Sequence, residues 1–305
     1  MRKVKRLLLL PLAAILLALA TGCDDNNIAA PSFIHIDKIE LRQPSVNAVS
    51  ADSGFYTSDI RGAFILMKRK GVAHEDTIGL FALPLTAPIL YSGEVDYIEV
   101  SPAVWQSGQA NAMVYYTFYK RITVEDCVLD VGDTLDLGTL STTYDITLND
   151  LYFFEPFEPT EGDILFDSVM TWMADDPDGA RSGRGYGSLH LPDSMPYVRS
   201  MVTRSFIATD PSKIIYLEFD SRSDVQYSIF LRASANGGAE NDYSVVNIYP
   251  SDEWKHLYIN LGKTWAWVNH AQEFKLLVHA LNLDGNQGGE VRLDNVRLIT
   301  TSKVL

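Results

Sequence analysis

The chain of 305 residues contains only two cysteines, Cys23 and Cys127. A framework of several disulfides, which stabilises many small secreted domains, is therefore excluded. The fold has to be held by hydrophobic cores, and 47% of the residues are hydrophobic. At roughly 100–200 residues per domain, this length predicts two domains. Cys127 lies in an apolar stretch and is interpreted as a small buried hydrophobe rather than a reactive thiol.

Basic residues are also scarce, because 25 Lys and Arg stand against 39 Asp and Glu, for a net charge of −14. Such an acidic surface repels phosphate backbones, so nucleic acid is not expected as a partner. The charge equally disfavours a chain that lies flat on anionic lipid. It is compatible with a body that is held away from a membrane, and with bound calcium.

Catalytic motifs are missing as well. The sequence lacks the Gly-x-Ser-x-Gly elbow, the His-Glu-x-x-His pair and the Walker glycine loop. None of its six histidines pairs with a cysteine or another histidine at ligand spacing. Four of them lie in alternating segments, where a single histidine typically faces solvent: His35, His190, His256 and His279. These absences predict that the protein is not an enzyme.

No apolar run is long enough to span a bilayer. The run from Leu7 to Leu19 has 13 residues, whereas a spanning helix needs roughly 20. Four basic residues precede it, namely Arg2, Lys3, Lys5 and Arg6. A basic start, a short apolar run and small residues at the end are typical of an export signal.

The segment Leu19-Ala-Thr-Gly-Cys23 resembles the lipobox of bacterial lipoproteins, with Ala20 where leucine is usual. The resemblance implies cleavage before Cys23, attachment of lipid to Cys23 and anchoring to a membrane. An ordinary secretory signal cut near Ala18 or Ala20, and an uncleaved anchor, are the alternatives. Lipid on Cys23 would also leave Cys127 without a disulfide partner.

The sequence predicts a lipoprotein of the outer membrane in the cell envelope. Exposure at the cell surface is one of the two orientations that this prediction allows. The acidic pair after the cysteine, Asp24 and Asp25, resembles the signal that sends some outer-membrane lipoproteins to the outer face. In enterobacterial-type sorting, an aspartate directly after the cysteine favours the inner membrane instead. The sequence therefore does not decide which membrane leaflet holds the anchor.

Short alternating apolar segments recur about every ten residues, with Gly and Pro between them, which predicts an all-β chain of tandem β-sandwiches. The predicted division is a signal peptide (1–22), a lipidated tether (23–32), a first sandwich (33–145) and a second sandwich (146–305). Met113–Tyr119 is predicted as one strand of the first module. The aromatic segment 150–159 is predicted as the first strand of the second, packed on its core.

The first module resembles a recurrent module of uncharacterised surface lipoproteins. Three stretches carry the likeness: Asp59–Gly62, Ile78–Pro84 and Pro88–Leu90. The resemblance implies an immunoglobulin-like or transthyretin-like fold and no known chemistry.

The second module resembles the galactose-binding-like jelly roll of carbohydrate-binding modules. The likeness rests on Phe157-Glu158, on Ser182–Leu191 and on the final strand Gly289–Leu298. It implies a structural calcium ion held by Glu158 and Asp294. Because calcium takes six to eight oxygen ligands, backbone carbonyls and a further acid, Asp167 or Glu155, would have to complete the site. The alternative is that Asp294 accepts hydrogen bonds from backbone amides.

The candidate ligand-binding residues are aromatic, because a sugar ring has an apolar side that stacks on indole or phenol rings. Trp265 and Trp267, two apart, would face the same way on a strand. Asn269 is a possible polar partner, and Tyr243 is a further candidate. The alternative is that both indole rings are buried in the core.

Two functional hypotheses follow. The first is a non-enzymatic, lipid-anchored envelope protein whose jelly roll binds polysaccharide or other cell-surface material. The alternative is a structural or assembly subunit that docks onto an outer-membrane protein complex and binds no sugar. Solvent exposure of Trp265 and Trp267 favours the first hypothesis, whereas burial of both rings together with an apolar patch elsewhere favours the second.

Overall fold

The computed structural model describes residues 30–43, 53–109, 111–146, 150–158, 165–207, 213–234, 239–268, 273–283 and 288–301. These residues form 21 strands, a short 3-10 turn at Ser53–Tyr56 and one short helix, α1 (Gly262–Trp267), which confirms the all-β prediction. Within these ranges, no helix is long and apolar enough to cross a membrane. Cys23 lies outside the described residues, so its lipidation stays a prediction.

The first module contains two main sheets packed face to face. Its strands are β1 (Ser32–Ile36), β2 (Lys38–Leu41), β3 (Gly62–Arg69), β4 (Asp76–Ala82), β5 (Leu85–Ile89), β6 (Gly93–Trp105), β7 (Met113–Tyr115), β8 (Ile122–Leu129), β9 (Thr134–Asp136) and β10 (Thr139–Thr142). One sheet has the order β5-β1-β9, and the other has the order β4-β3-β6-β7 with β8 also on β6. A short parallel pair, β10-β2, forms a separate two-stranded sheet. The immunoglobulin-like or transthyretin-like identity of this module stays a prediction.

The second module is a sandwich of two larger sheets. Its strands are β11 (Leu151–Glu155), β12 (Thr171–Met173), β13 (Tyr186–Leu191), β14 (Tyr197–Met201), β15 (Phe206–Ile207), β16 (Ile215–Ser223), β17 (Gln226–Ser234), β18 (Glu240–Ile248), β19 (Ser251–Asn260), β20 (Glu273–Leu281) and β21 (Gly289–Thr300). The inner sheet runs β12-β13-β21-β16-β19, with β11 also on β21. The outer sheet runs β14-β20-β17-β18, with β15 also on β20.

The core of the second module follows from the two-residue period of its strands. In β20, Phe274, Leu276, Val278 and Ala280 are buried in the core between the sheets. The residues between them point to the other face of the outer sheet. Burial of this kind contributes roughly 25 cal/mol for each Å² of apolar surface removed from water.

Two sequence predictions about strands have clear outcomes. Within the predicted segment 150–159, Leu151–Glu155 forms β11, the first strand of the second module, which pairs with β21 and contributes Phe153 to the core. The strand predicted at Met113–Tyr119 is wrong in its second half, since β7 ends at Tyr115. The residues that follow turn towards the second module and pack on it.

Candidate functional site

The first module covers the inner sheet of the second module with aromatic side chains. Tyr116, Phe118 and Tyr119 from the first module pack with Tyr216 and Tyr258 from the second. The ring of Tyr116 lies edge-on to those of Tyr216 and Tyr258, with centroids 5.0 and 4.9 Å away. The two modules therefore share a hydrophobic contact of their own, separate from either core.

A buried ion pair lies within this contact. Glu218 on β16 and Arg297 on β21 are opposite each other in the register, and both are fully buried. Arg297 Nε lies 3.3 Å from Glu218 Oε2, and the guanidinium lies against the rings of Phe55, Tyr144 and Phe154. Burial disfavours the charged carboxylate, but Arg297 and His256 outweigh this and lower the pKa of Glu218.

First-module groups complete the coordination of this pair. The Tyr144 hydroxyl donates to Glu218 at 2.5 Å, and the Tyr116 hydroxyl donates to the other carboxylate oxygen. Arg297 in turn donates to the backbone carbonyls of Phe55 and Thr57. Because a buried charge needs partners to offset its desolvation, the two modules stabilise each other's polar groups.

His256 on β19 lies between two carboxylates. Its Nδ1 is 3.2 Å from Asp220, and its Nε2 is 3.4 Å from Glu218. Burial alone would lower the pKa of His256, but the two carboxylates outweigh burial and raise it. The prediction that His256 faces solvent as a single surface histidine is wrong, because the first module covers this face.

We expect the stability of the protein to depend on pH through this cluster. The raised pKa of His256 gives a contribution that is complete below the unfolded value of about 6.5 and is lost as pH rises through the folded value. The lowered pKa values of Glu218 and Asp220 give contributions that are lost as pH falls below about 4. The cluster therefore stabilises the fold most between about pH 4 and 6.5. Thermal unfolding followed from pH 4 to 9 measures this.

His256→Gln isolates the histidine contribution in that experiment. Its melting temperature should fall less steeply above about pH 6.5 than that of the wild type, whereas His190→Gln, at an exposed position on β13, should follow the wild type. Burial raises the pKa of Asp294 to about 8, which adds a fall in stability with rising pH in the wild type and in both variants. The measured quantity is therefore the difference in melting temperature between each variant and the wild type at each pH. Parallel curves for His256→Gln and the wild type would refute the assignment.

The two residues predicted to bind calcium, Asp294 and Glu158, accept hydrogen bonds from backbone N–H groups instead. Both oxygens of Asp294 accept N–H groups, from Arg181 at 3.0 Å and Ser182 at 3.1 Å on one and from Asn295 at 2.7 Å on the other. Glu158 accepts the N–H of Arg184 at 2.9 Å. The two acids thus fix successive parts of one loop, residues 181–184. The arrangement bears out the alternative in which Asp294 bonds backbone amides.

These residues do not fit a calcium ion. A cation needs the carboxylate oxygens that the N–H groups of this loop occupy, and the donors repel it. The acids predicted to complete the site are engaged in the same way, because Glu155 accepts from Phe157 and Leu165, and Asp167 accepts from Ser200 and Met201. Across the described ranges, no group of three or more His, Cys, Asp or Glu residues is arranged to hold a metal.

Trp265 is 6% exposed and packs in the core of the second module, which contradicts its predicted stacking role. It lies in α1 rather than in a strand, because Leu261, Trp265 and Val268 are buried at a helical spacing of four and three residues. Trp267 is the last residue of α1, so it does not share a strand face with Trp265. Its side chain and Asn269 lie outside the described residues.

Tyr243, the remaining candidate, is half-buried on β18 and packs against the same core. It lies opposite Leu231 in the register, so its ring points between the sheets. Its position at the edge of the core contradicts a role as a surface platform for a sugar.

The face of the outer sheet that points away from the core carries an aromatic row. Tyr197 on β14, His279 on β20 and Phe230 on β17 lie side by side on it. The centroid of the His279 ring is 4.9 Å from that of Tyr197 and 5.5 Å from that of Phe230. Tyr197 is 49% exposed, so part of its ring is accessible to a ligand.

Hydrogen-bonding groups lie beside this row. Asp242 on β18 bonds Arg232 on β17 at 2.7 and 2.9 Å, and Arg199 on β14 reaches the same carboxylate at 3.4 Å. Burial and Arg199 lower the pKa of His279, which keeps its ring neutral, and its Nε2 has no hydrogen-bond partner in the described structure. We call these six residues, Tyr197, Arg199, Phe230, Arg232, Asp242 and His279, the outer-sheet face.

Sequence reasoning missed the outer-sheet face, although its signal was present. Phe230, Arg232 and His279 occupy alternate positions of segments that alternate apolar and polar residues, the positions that face away from a core. The strands that carry Tyr197, Arg199 and Asp242 were not predicted. Tyr197, Phe230 and His279 come from three strands whose pairing the sequence does not specify. The two indoles are near each other in the sequence, whereas the three rings of the aromatic row are neighbours only in the folded sheet.

Comparison with known proteins gives structural likenesses without a family. No protein-family model and no curated protein matches the chain. The family 30 carbohydrate-binding module of a Clostridium thermocellum cellulosomal cellulase is 14% identical, with 47% of this chain and 90% of that chain covered and a TM-score of 0.37. The module TmCBM61, in complex with β-1,4-galactotriose, is 19% identical, with 45% and 86% covered and a TM-score of 0.29.

A third similar structure is an enzyme. The enzymatically active domain of tailspike protein 4 from bacteriophage CBA120 is 12% identical, with 44% of this chain and 18% of that chain covered and a TM-score of 0.33. At such identities and TM-scores, none of these likenesses assigns a function to this chain.

Proposed function

We propose that this protein is a lipid-anchored envelope protein that binds polysaccharide through the outer-sheet face. The observation that carries the proposal is the row Tyr197–His279–Phe230 on the outward side of the outer sheet, where Tyr197 is exposed. Lipid on Cys23 supplies the anchor, and its support is the lipobox-like sequence before that residue.

The chemistry of the face suits a sugar chain. A pyranose ring presents an apolar side to an aromatic ring, and the accessible part of Tyr197 offers such a surface. Arg199, Asp242 and Arg232 supply hydrogen-bond donors and acceptors. These side chains can replace the bonds that they make to one another by bonds to the hydroxyl groups of a sugar. A sheet face can accommodate an extended chain, whereas a closed pocket cannot.

Binding without catalysis is the second part of the proposal. The titratable cluster of Glu218, Asp220 and His256 has the residue types of an active site, but all three side chains are at most 1% exposed. A substrate cannot reach them while the modules are packed together. Their role is to stabilise the contact between the modules.

Tyr197→Ala tests the proposed site. Its retention on immobilised polysaccharide, measured by affinity electrophoresis in xylan, galactan and mixed-linked β-glucan gels, should fall at least about tenfold, because loss of one aromatic anchor removes a large share of a small interface. The matched control is Tyr115→Ala in the first module, where the tyrosine is 51% exposed, and it should migrate like the wild type.

The same gels decide against the proposal in two ways. Equal retention of Tyr197→Ala and the wild type would exclude the outer-sheet face. Free migration of the wild type in every polysaccharide would favour the second candidate, a subunit that docks onto another envelope protein. The apolar residues Leu90, Val128 and Val131, which are 80%, 54% and 55% exposed on the first module, favour that candidate.

A further inference from the structure

A cleft lies at the junction of the two modules, apart from the outer-sheet face. It has a volume of about 320 Å³, at the lower end of the range typical of ligand sites. The first module contributes Ser58, Asp59, Arg61, Trp105 and Gly108, and the second contributes Arg181 and the middle of β19, Glu253–Tyr258. The cleft therefore exists only while the modules are packed together.

Main-chain contacts between the modules fix the floor of the cleft. The N–H of Ser107 donates to the carbonyl of Tyr258 at 2.7 Å, and the N–H of Asp59 donates to the Tyr258 hydroxyl at 3.0 Å. Arg181 is held by the loop that Asp294 fixes. The lining residues are thus positioned before any ligand arrives, which lowers the entropic cost of binding.

Two indole rings, one from each module, line the cleft. Trp254 is half-buried on β19, with its ring edge-on to Tyr186 at 6.5 Å. Trp105 ends β6, with the guanidinium of Arg61 above its ring at 5.3 Å. The indole Nε1 of Trp105 is buried and has no hydrogen-bond partner among the described residues. An unmet donor of this kind costs free energy, and an acceptor that displaces the side chains around it would recover that cost.

The charges of the cleft are closely matched. Arg61 pairs with Asp59 at 2.6 Å, and Arg181 pairs with Asp220 at 3.5 Å. Lys255 and Glu253 lie two residues apart on β19 and carry opposite charges. The lining has one basic residue more than acidic ones, and Arg181 offsets that excess by its pairing with buried Asp220. Because little charge remains to attract an ion, the lining favours a neutral ligand with many hydroxyl groups and an apolar side. A neutral sugar has both properties.

We infer that this cleft is a second saccharide site, which binds one end or one short segment of a neutral glycan. Trp254 provides the stacking surface, and the side chains of Asp59, Arg61 and Arg181 provide acceptors and donors for the hydroxyls. The site is distinct from the outer-sheet face, and it does not require that face to bind sugar.

Calorimetric titration of the mature chain with short neutral oligosaccharides of β-1,4-linked glucose, xylose and galactose tests the inference. The wild type should bind two equivalents of one of these sugars. Trp254→Ala and Arg61→Met should each weaken one of the two sites about tenfold or more. Arg61 is 51% exposed, so its replacement keeps the test valid if Trp254→Ala is poorly folded. Tyr249→Ala, at a 74% exposed position outside the cleft, is the matched control.

The number of sites separates this inference from the proposed function. One site that Tyr197→Ala removes and that Trp254→Ala and Arg61→Met leave unchanged overturns the cleft and keeps the outer-sheet face. One site that both cleft variants weaken and Tyr197→Ala leaves unchanged supports the cleft and overturns the face. No heat of binding with any oligosaccharide overturns the cleft.

Discussion

Replacement of Arg297 by methionine is expected to destabilise the protein by roughly 3–5 kcal/mol, because it leaves a charged partner of a buried pair uncompensated. Glu218 would remain fully buried with its ion-pair partner gone. The aromatic rings of Phe55, Tyr144 and Phe154 would also lose the cation between them. Urea unfolding, read from the midpoint at constant slope, measures the change.

A second arginine on the same strand provides the control. Arg292 pairs with Glu290 at 2.7 Å, but its side chain is 28% exposed, so Arg292→Met should cost about 1 kcal/mol or less. The double variant Arg297→Met with Glu218→Gln removes both charges and should recover part of the loss. A midpoint for Arg297→Met close to that of Arg292→Met would show that the buried pair does not stabilise the fold.

Replacement of Trp265 by alanine is expected to cost roughly 3–5 kcal/mol, the range for removing a large aromatic side chain from a core. The ring fills space in the core of the second module beside α1. Retention on polysaccharide, compared at equal amounts of folded protein, should not change. Urea unfolding and affinity electrophoresis of the same preparation provide both measurements.

Tyr249→Ala serves as the surface control for this variant and should stay within about 0.5 kcal/mol of the wild type. Stability from urea unfolding is compared with polysaccharide retention from affinity electrophoresis. Loss of polysaccharide retention at unchanged stability would return Trp265 to the ligand-binding residues and contradict its burial.

The all-β fold was predictable, because alternation within short segments is a local property that each strand carries by itself. The role of segment 150–159 was predictable for the same reason, since its aromatic residues are too apolar for an exposed linker. The helix at Trp265 was missed although Leu261, Trp265 and Val268 follow the helical period. The two indoles are two residues apart, which is the period of a strand, so the two patterns compete over this short segment.

The contact between the modules could not be read from the sequence. Glu218 and Asp220 occupy alternate positions of β16 that normally face water, and Arg297 and His256 do the same on β21 and β19. These side chains are buried because the first module covers them. Tyr144 of that module, for example, bonds Glu218 although the two residues are more than 70 positions apart in the sequence. Local patterns specify which face of a strand is polar, but they do not specify what covers that face.

The close approach of Gly54 to β21 has a consequence for avidity. A Cβ on Gly54 would lie 1.9 Å from the side-chain oxygen of Asn295, so the first module sits against the second without room for a hinge at this point. The outer-sheet face and the junction cleft are therefore held at one fixed separation. A polysaccharide that matches this separation would gain a high effective concentration at the second site, whereas a flexible linker would spread that concentration over many distances.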